Sequence, residues 1–336
     1  MAVSAAIYGL EGLALTPDEG AFFRDAEPWG FILFQRNCDD PEQIRRLVDE
    51  LRTLTGRADT PILIDQEGGR VQRLKPPKWR AAPPAAAFGA LCKSRPQEGR
   101  EALAINTALI GAELAALGIN VDCLPVLDVP QEGAHDIIGD RAYAKDAAAV
   151  AQLGRVACDA LMSTGVLPVI KHIPGHGRAL ADSHFNLPVV DAPRDALEQI
   201  DFAPFRALRD MPLAMTAHVV YTAIDPDNCA TVSPTVINEV IRGDIGFDGL
   251  LMSDDLSMKA LKGSFSERTE RALVAGCDLV LHCNGDMDEM TAIAGVTPTL
   301  SGAASVRAAA ALARLKPAAP FDVAQAQARL QALMIG

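Results

Sequence analysis

The sequence predicts an α/β protein folded as one (β/α)8 TIM barrel, and three observations carry that prediction. Eight short apolar runs alternate with longer stretches of helical periodicity, as parallel strands joined by helices require. Hydrophobic residues make up 49% of the chain and aromatics only 5%, so the core must be layered from Ala, Val, Leu and Ile. The 336 residues suit a single large barrel, and no linker or shift of composition divides 1–336 into parts. An open doubly wound sheet is the competing architecture. Eight strands, and the absence of GxGxxG and GxxxxGK[ST], disfavour it.

The strand candidates fall at 5–9, 30–34, 61–65, 119–122, 167–170, 213–217, 250–253 and 278–281. Between the second and third, Asp40-Pro41 supplies an N-cap and a proline at the first helical position, and Ile44, Leu47, Val48 and Leu51 then mark one helical face. Similar amphipathic stretches lie near 99–118, 147–164, 195–209, 233–242 and 266–275, and an Ala-rich helical tail covers about 301–336. Residues 74–98, with Pro76, Pro77, Pro83 and Pro84, read as a long insertion after the third strand, able to wall one side of a pocket.

A net charge of -12 argues against nucleic acid or an anionic membrane surface as partner, because both demand basic fields. The seven cysteines are scattered without CxxC spacing, so neither a disulfide framework nor a zinc knuckle is indicated, and reduced thiols point to the cytosol. The first residues lack a basic region and run into Glu11, and nowhere do eighteen apolar residues stand together. We therefore expect neither a signal peptide nor a membrane span.

In a barrel the chemistry belongs at the C-terminal ends of the strands. Polar groups recur there: Asp65 after the third strand, Lys171 and His172 after the fifth, His218 after the sixth, Asp254 and Asp255 after the seventh, and His282 at the eighth. The segment 171–184 packs a lysine, an aspartate and three of the six histidines into fourteen residues, and its glycines and proline predict a loop displaying His172, His176, Asp182 and His184. Three chemistries could use this set. Metal-assisted hydrolysis suits His and Asp on strand ends, but the first strand carries no His-x-His. A Ser-His-Asp hydrolase lacks its GxSxG elbow. Glycosyl transfer to water needs a carboxylate nucleophile, available at 254, and a proton donor, available in the 171–184 loop. A histidine can act as that donor because its ordinary pKa lies near neutrality, and Asp182 could orient it.

Ile64-Asp-Gln-Glu-Gly-Gly-Arg-Val-Gln-Arg73, Gly139-Asp-Arg141, Lys171-His-Ile-Pro-Gly-His-Gly177, Ala181-Asp-Ser-His184, Met215-Thr-Ala-His218 and Ser253-Asp-Asp-Leu-Ser-Met258 together resemble glycoside hydrolase family 3, in particular its single-domain bacterial β-N-acetylglucosaminidases of peptidoglycan recycling. The resemblance implies a retaining exo-β-N-acetylglucosaminidase without metal or other cofactor, acting on a muropeptide as a cytoplasmic monomer. Asp254 would be the nucleophile, His184 the proton donor and acceptor, and Asp182 its partner. Asp65, Arg73, Arg141, Lys171 and His172 would hold the sugar. Chitin oligosaccharides as substrate, phosphate as acceptor, and a sugar-binding protein on a degenerate barrel are the alternatives. Ile173 departs from the aromatic expected in the fifth-strand motif, and His282-Cys283 from small apolar residues; neither is expected to touch the catalytic groups. Other residues have structural readings: Asp255 as a cap or acceptor, His176 as a backbone latch for its loop, His218 as a support near Asp254, Glu67 and Arg70 as a pair, and His135 on the surface.

Overall fold

In a computed structural model, which describes residues 3–179 and 187–335, eight parallel strands close into a barrel in chain order. They are β1 (Ser4–Tyr8), β2 (Pro28–Leu33), β3 (Ile62–Ile64), β4 (Val121–Asp122), β5 (Leu167–Ile173), β6 (Leu213–Thr216), β7 (Leu250–Asp255) and β8 (Leu279–His282). The last returns to the first, Ala6 opposite Val280, which removes the open sheet from consideration. Every second residue faces the lumen, where Ile7, Ile32, Leu63, Val169, Met252 and Leu281 pack together. The alternate residues, among them Ile64, Ile170, Ala214 and Leu251, face the surrounding helices.

Local chemistry accounts for the helices. Asp40 accepts from the amides of Glu42 and Gln43, both at 2.9 Å, and opens α1 (Pro41–Thr55), which buries Ile44, Leu47, Val48 and Leu51 and ends at Gly56 with φ 64°. The Ala-rich tail is two helices, α2 (Gly302–Leu312) and α3 (Val323–Ile335). Ala308 and Ala311 of α2 join the lumen cluster, and Leu330 and Leu333 of α3 pack with Phe88 and Leu103.

Two expectations are corrected here. The fifth strand does not stop at Ile170, because its neighbours keep supplying partners: Lys171 donates to Pro125 O and accepts from Leu127 N, and Ile173 accepts from Ala217 N. Lys171 and His172 therefore stand on a strand instead of in a loop, and Pro174, which has no N–H to donate, follows directly after. The insertion at 74–98 does not wall the pocket. It holds a helix, Ala85–Ser94, whose Ala85 and Phe88 pack with Ala102 and Leu103, and the residues that reach the cavity on this side are Arg70, Val71 and Arg73, on or just after the preceding hairpin of Gln66–Gly68 and Val71–Gln72.

Candidate active site

A cavity of about 350 Å³ opens at the C-terminal ends of the strands. Phe34 after β2, Asp65 after β3, Lys171 and His172 on β5, Met215 on β6, Asp254 and Asp255 on β7, and Cys283 after β8 line it, with Arg70 and Arg73 reaching in from the hairpin and Arg141 from the β4–β5 connection.

Lys171 is the electrostatic centre. It is 2% exposed, and its Nζ donates to Asp65 Oδ1 at 2.8 Å and lies 2.7 Å from Glu67 Oε1. Arg73 takes the other oxygen of Asp65 at 2.9 Å, and Arg141 closes a two-pronged fork on Glu67, both contacts at 2.8 Å. Burial alone would raise both carboxyls. Lys171 and Arg73 on Asp65, and Arg141 and Lys171 on Glu67, outweigh it and hold both ionised, Glu67 at about 2. The same carboxylates overcome burial at Lys171 and keep its ammonium charged. The expected Glu67–Arg70 pair is not formed: Glu67 holds Arg141 and Lys171, while Arg70, at the cavity wall, pairs with Asp136 at 3.2 Å and Asp140 at 3.1 Å. Arg73 also lies over the Phe34 ring, 4.9 Å from its centroid, which limits where the guanidinium can swing.

On the opposite wall, Asp254 is partly open to the cavity. Its Oδ1 accepts from the amide of Asp255 at 2.8 Å, and its own amide donates to Thr216 Oγ1 at 3.3 Å. Burial opposes its charge, but the imidazoles of His218 and His172, the Asp255 amide and Lys171 keep its carboxyl below the usual range. A buried chain runs on from Thr216 to Thr231 Oγ1 at 2.8 Å and to His218 Nδ1 at 2.7 Å, and His218 Nε2 lies 3.0 Å from the Asp255 carbonyl. A carbonyl only accepts, so Nε2 carries a proton. His218 is thus the support near Asp254 that the sequence suggested. Asp255 is an acceptor for the turn, taking Ser257 N at 3.0 Å and Cys283 N at 3.1 Å.

His172 meets a carboxylate the sequence reading had missed. Asp128, fully buried, lies 2.7 Å from His172 Nδ1 and accepts the amides of His172 at 3.2 Å and His176 at 2.7 Å. Burial pushes its carboxyl up, and the two histidines outweigh that and hold it below the ordinary value. The available signal was an acid set alone in the apolar run Leu124-Pro-Val-Leu-Asp128-Val-Pro130, where it must be buried and partnered. The His176 backbone does hold its loop, donating to Asp128 and accepting from Ala179 N, yet the ring also lines the cavity. Asp182 and His184 lie outside the described residues.

His282 does not join the polar groups of the strand ends, and Cys283 reaches the cavity that the sequence reading kept it from. The His282 ring is fully buried away from the cavity, 2.8 Å from Glu289 and against Phe265, whereas Cys283 is part of the cavity wall beside Asp254. Ile173 is buried and stands outside the cavity, and His135 is exposed, both as expected.

A closed barrel with ionised carboxylates and cations gathered at its strand ends is the architecture of a barrel enzyme, and comparison with known proteins gives the family. Residues 22–316 match the glycosyl hydrolase family 3 N terminal domain. A beta-hexosaminidase of Alkalilimnicola ehrlichii is 40% identical over 288 residues, 84% of this chain and 82% of that protein. The crystal structure of native NagZ from Neisseria gonorrhoeae superposes with a TM-score of 0.87 at 31% identity, covering 100% of this chain and 97% of that one. The same protein in complex with N-trifluoroacetyl-D-glucosamine gives 0.87 at 30%, covering 99% and 98%. The chain belongs to glycosyl hydrolase family 3.

Proposed function

We propose that this β-N-acetylhexosaminidase removes single, terminal β-linked N-acetylglucosamine residues, taking them from GlcNAc-1,6-anhydro-MurNAc muropeptides of cell-wall recycling in the cytoplasm. The observation that carries the reading is the cavity itself. At about 350 Å³ it stands near the small end of ligand pockets, which suits one sugar ring, and an ionised Asp254 lines it opposite the Asp65–Lys171–Arg73 cluster. The sugar analogue held by the gonococcal relative agrees with that occupant.

Cleavage with retention takes two steps. Asp254 attacks the anomeric carbon as the glycosidic C–O bond breaks, and the leaving oxygen takes a proton from His184. Water then gives a proton to His184 as its oxygen bonds to the same carbon, and the Asp254 carboxylate departs. Asp182 orients the imidazole. Asp65, Arg73, Arg141, Lys171 and His172 hold hydroxyl groups and acetamide, the ion pairs among the first four and Glu67 being fixed in place before the sugar arrives.

The test is hydrolysis of a chromogenic β-N-acetylglucosaminide against the matching β-glucoside, with and without chelator, by wild type and Asp254→Ala. Chelator-resistant cleavage of the first substrate that disappears in the variant is expected. Cleavage lost with chelator would return metal-assisted hydrolysis, and cleavage of neither sugar would favour a binding protein.

A further inference from the structure

We propose that Asp128 is a positioning residue for the sugar: by holding the Nδ1 proton of His172 it leaves Nε2 toward the cavity as an acceptor and so sets the sense of the hydrogen bond the sugar receives. Asp128 does not line the cavity, so any effect on substrate must pass through another residue. Its two oxygens divide the work. Oδ1 accepts the backbone amides of His172 and His176, and Oδ2 faces His172 Nδ1 at 2.7 Å. Backbone amides only donate, and an ionised carboxylate only accepts, so Nδ1 bears a proton, and in the neutral ring Nε2 bears none and accepts. Nε2 is left for the cavity, which His172 lines with a side chain 9% exposed, and no hydrogen bond from a described residue reaches it. That a sugar hydroxyl meets this nitrogen rests on the glycosidase reading above.

Asp128→Asn separates this role from packing because it keeps the shape. An asparagine has one oxygen for two acceptor positions. The backbone amides cannot reverse, so the oxygen must stay with them and the NH2 must face His172 Nδ1. The ring can answer only by giving up its Nδ1 proton and carrying one on Nε2, which removes the acceptor offered to the sugar. Carboxylates that orient metal-bound histidines are typically worth about 10- to 100-fold, and a loss of that size in kcat/KM is expected for this carboxylate-oriented histidine.

The measurement is ¹⁵N NMR of imidazole-labelled protein, with the His172 signals assigned by their absence in His172→Gln, alongside kinetics on the chromogenic β-N-acetylglucosaminide. We expect Nδ1 protonated in wild type and unprotonated in Asp128→Asn, together with the fall in kcat/KM. Nδ1 still protonated in the variant, or an inverted ring with kcat/KM within twofold of wild type, would overturn the proposal. Should the variant fail to fold, the wild-type spectrum decides: a protonated Nδ1 with Nε2 shifting on addition of N-acetylglucosamine supports it, and an unprotonated Nδ1 or an unmoved Nε2 refutes it. Failure of the glycosidase reading is distinguishable, since wild type would then leave the chromogenic sugar intact whatever the ring nitrogens show.

Discussion

Lys171 and Arg73 are both salt-bridged to Asp65, yet burial makes them unequal. Lys171 is 2% exposed and serves Glu67 as well, so replacing it with methionine leaves the apolar stem in place but strips one shared cation from two buried carboxylates. Breaking a buried pair costs about 3–5 kcal/mol, because the remaining charge has lost its hydration without compensation. Arg73, with its side chain 27% exposed, makes one ion pair with Asp65, and water can take its place at a cost of about 1 kcal/mol or less. Urea unfolding at pH 7 should therefore place Lys171→Met several kcal/mol below Arg73→Met, while both reduce kcat/KM on the chromogenic sugar by at least an order of magnitude. Equal stability losses would mean that the buried lysine is no more costly to remove than the accessible arginine.

Past the C-terminal ends of β4 and β5, two segments distant in sequence are pressed together. Gly177 accepts from Gln131 N at 3.0 Å, and a Cβ built on it would stand 2.1 Å from the carbonyl oxygen of Val129. Backbone cannot yield there as a flexible side chain would, so Gly177→Ala must push apart the segments carrying Asp128 and His176. The expected result is a melting temperature several degrees lower and kcat/KM reduced by more than tenfold; an alanine variant with wild-type kinetics would show that this contact does not hold the site. Contacts of this range are also what the sequence left unread. Asp65, Lys171, His172 and Asp254 were legible because short apolar runs mark strands locally and the barrel dictates which ends are functional. The extension of β5 to Ile173 was not, since its partners Pro125 and Leu127 come from over forty residues away. For the same reason the partners of Asp128 and of Glu67 could not be assigned, and His282 was counted among the polar groups of the strand ends although its ring turns away from the cavity, because the facing of a strand's last residue depends on its register.

Among the described residues, the buried ionisable groups set how stability answers to acid, and they do not all pull the same way. Burial, with His172 adding to it, depresses His176 from 6.5 to about 4, so the unfolded chain binds this proton first and stability falls as pH drops through that window, by about 3 kcal/mol. Asp201 and Asp122 have the opposite sign. Burial raises Asp201 to about 6 despite the Arg178 contact at 2.7 Å, and raises Asp122 well above the ordinary value. A native state that binds these protons before the unfolded chain does gains stability as pH falls toward about 4, offsetting His176. Below about 4 the balance breaks. Asp65, Glu67, Asp128 and Asp254 are all depressed in the native protein, so protons bind preferentially to the unfolded state and stability is lost. Asp201 nearly cancels His176 and Asp122 adds to that offset, so urea midpoints should not fall between pH 7 and about 4 and should drop steeply beneath it. In Asp122→Asn/Asp201→Asn the compensation is gone, and the midpoint should already decline from about pH 6.5. A double variant whose midpoint stays level down to pH 4 would show that the two buried acids do not oppose His176.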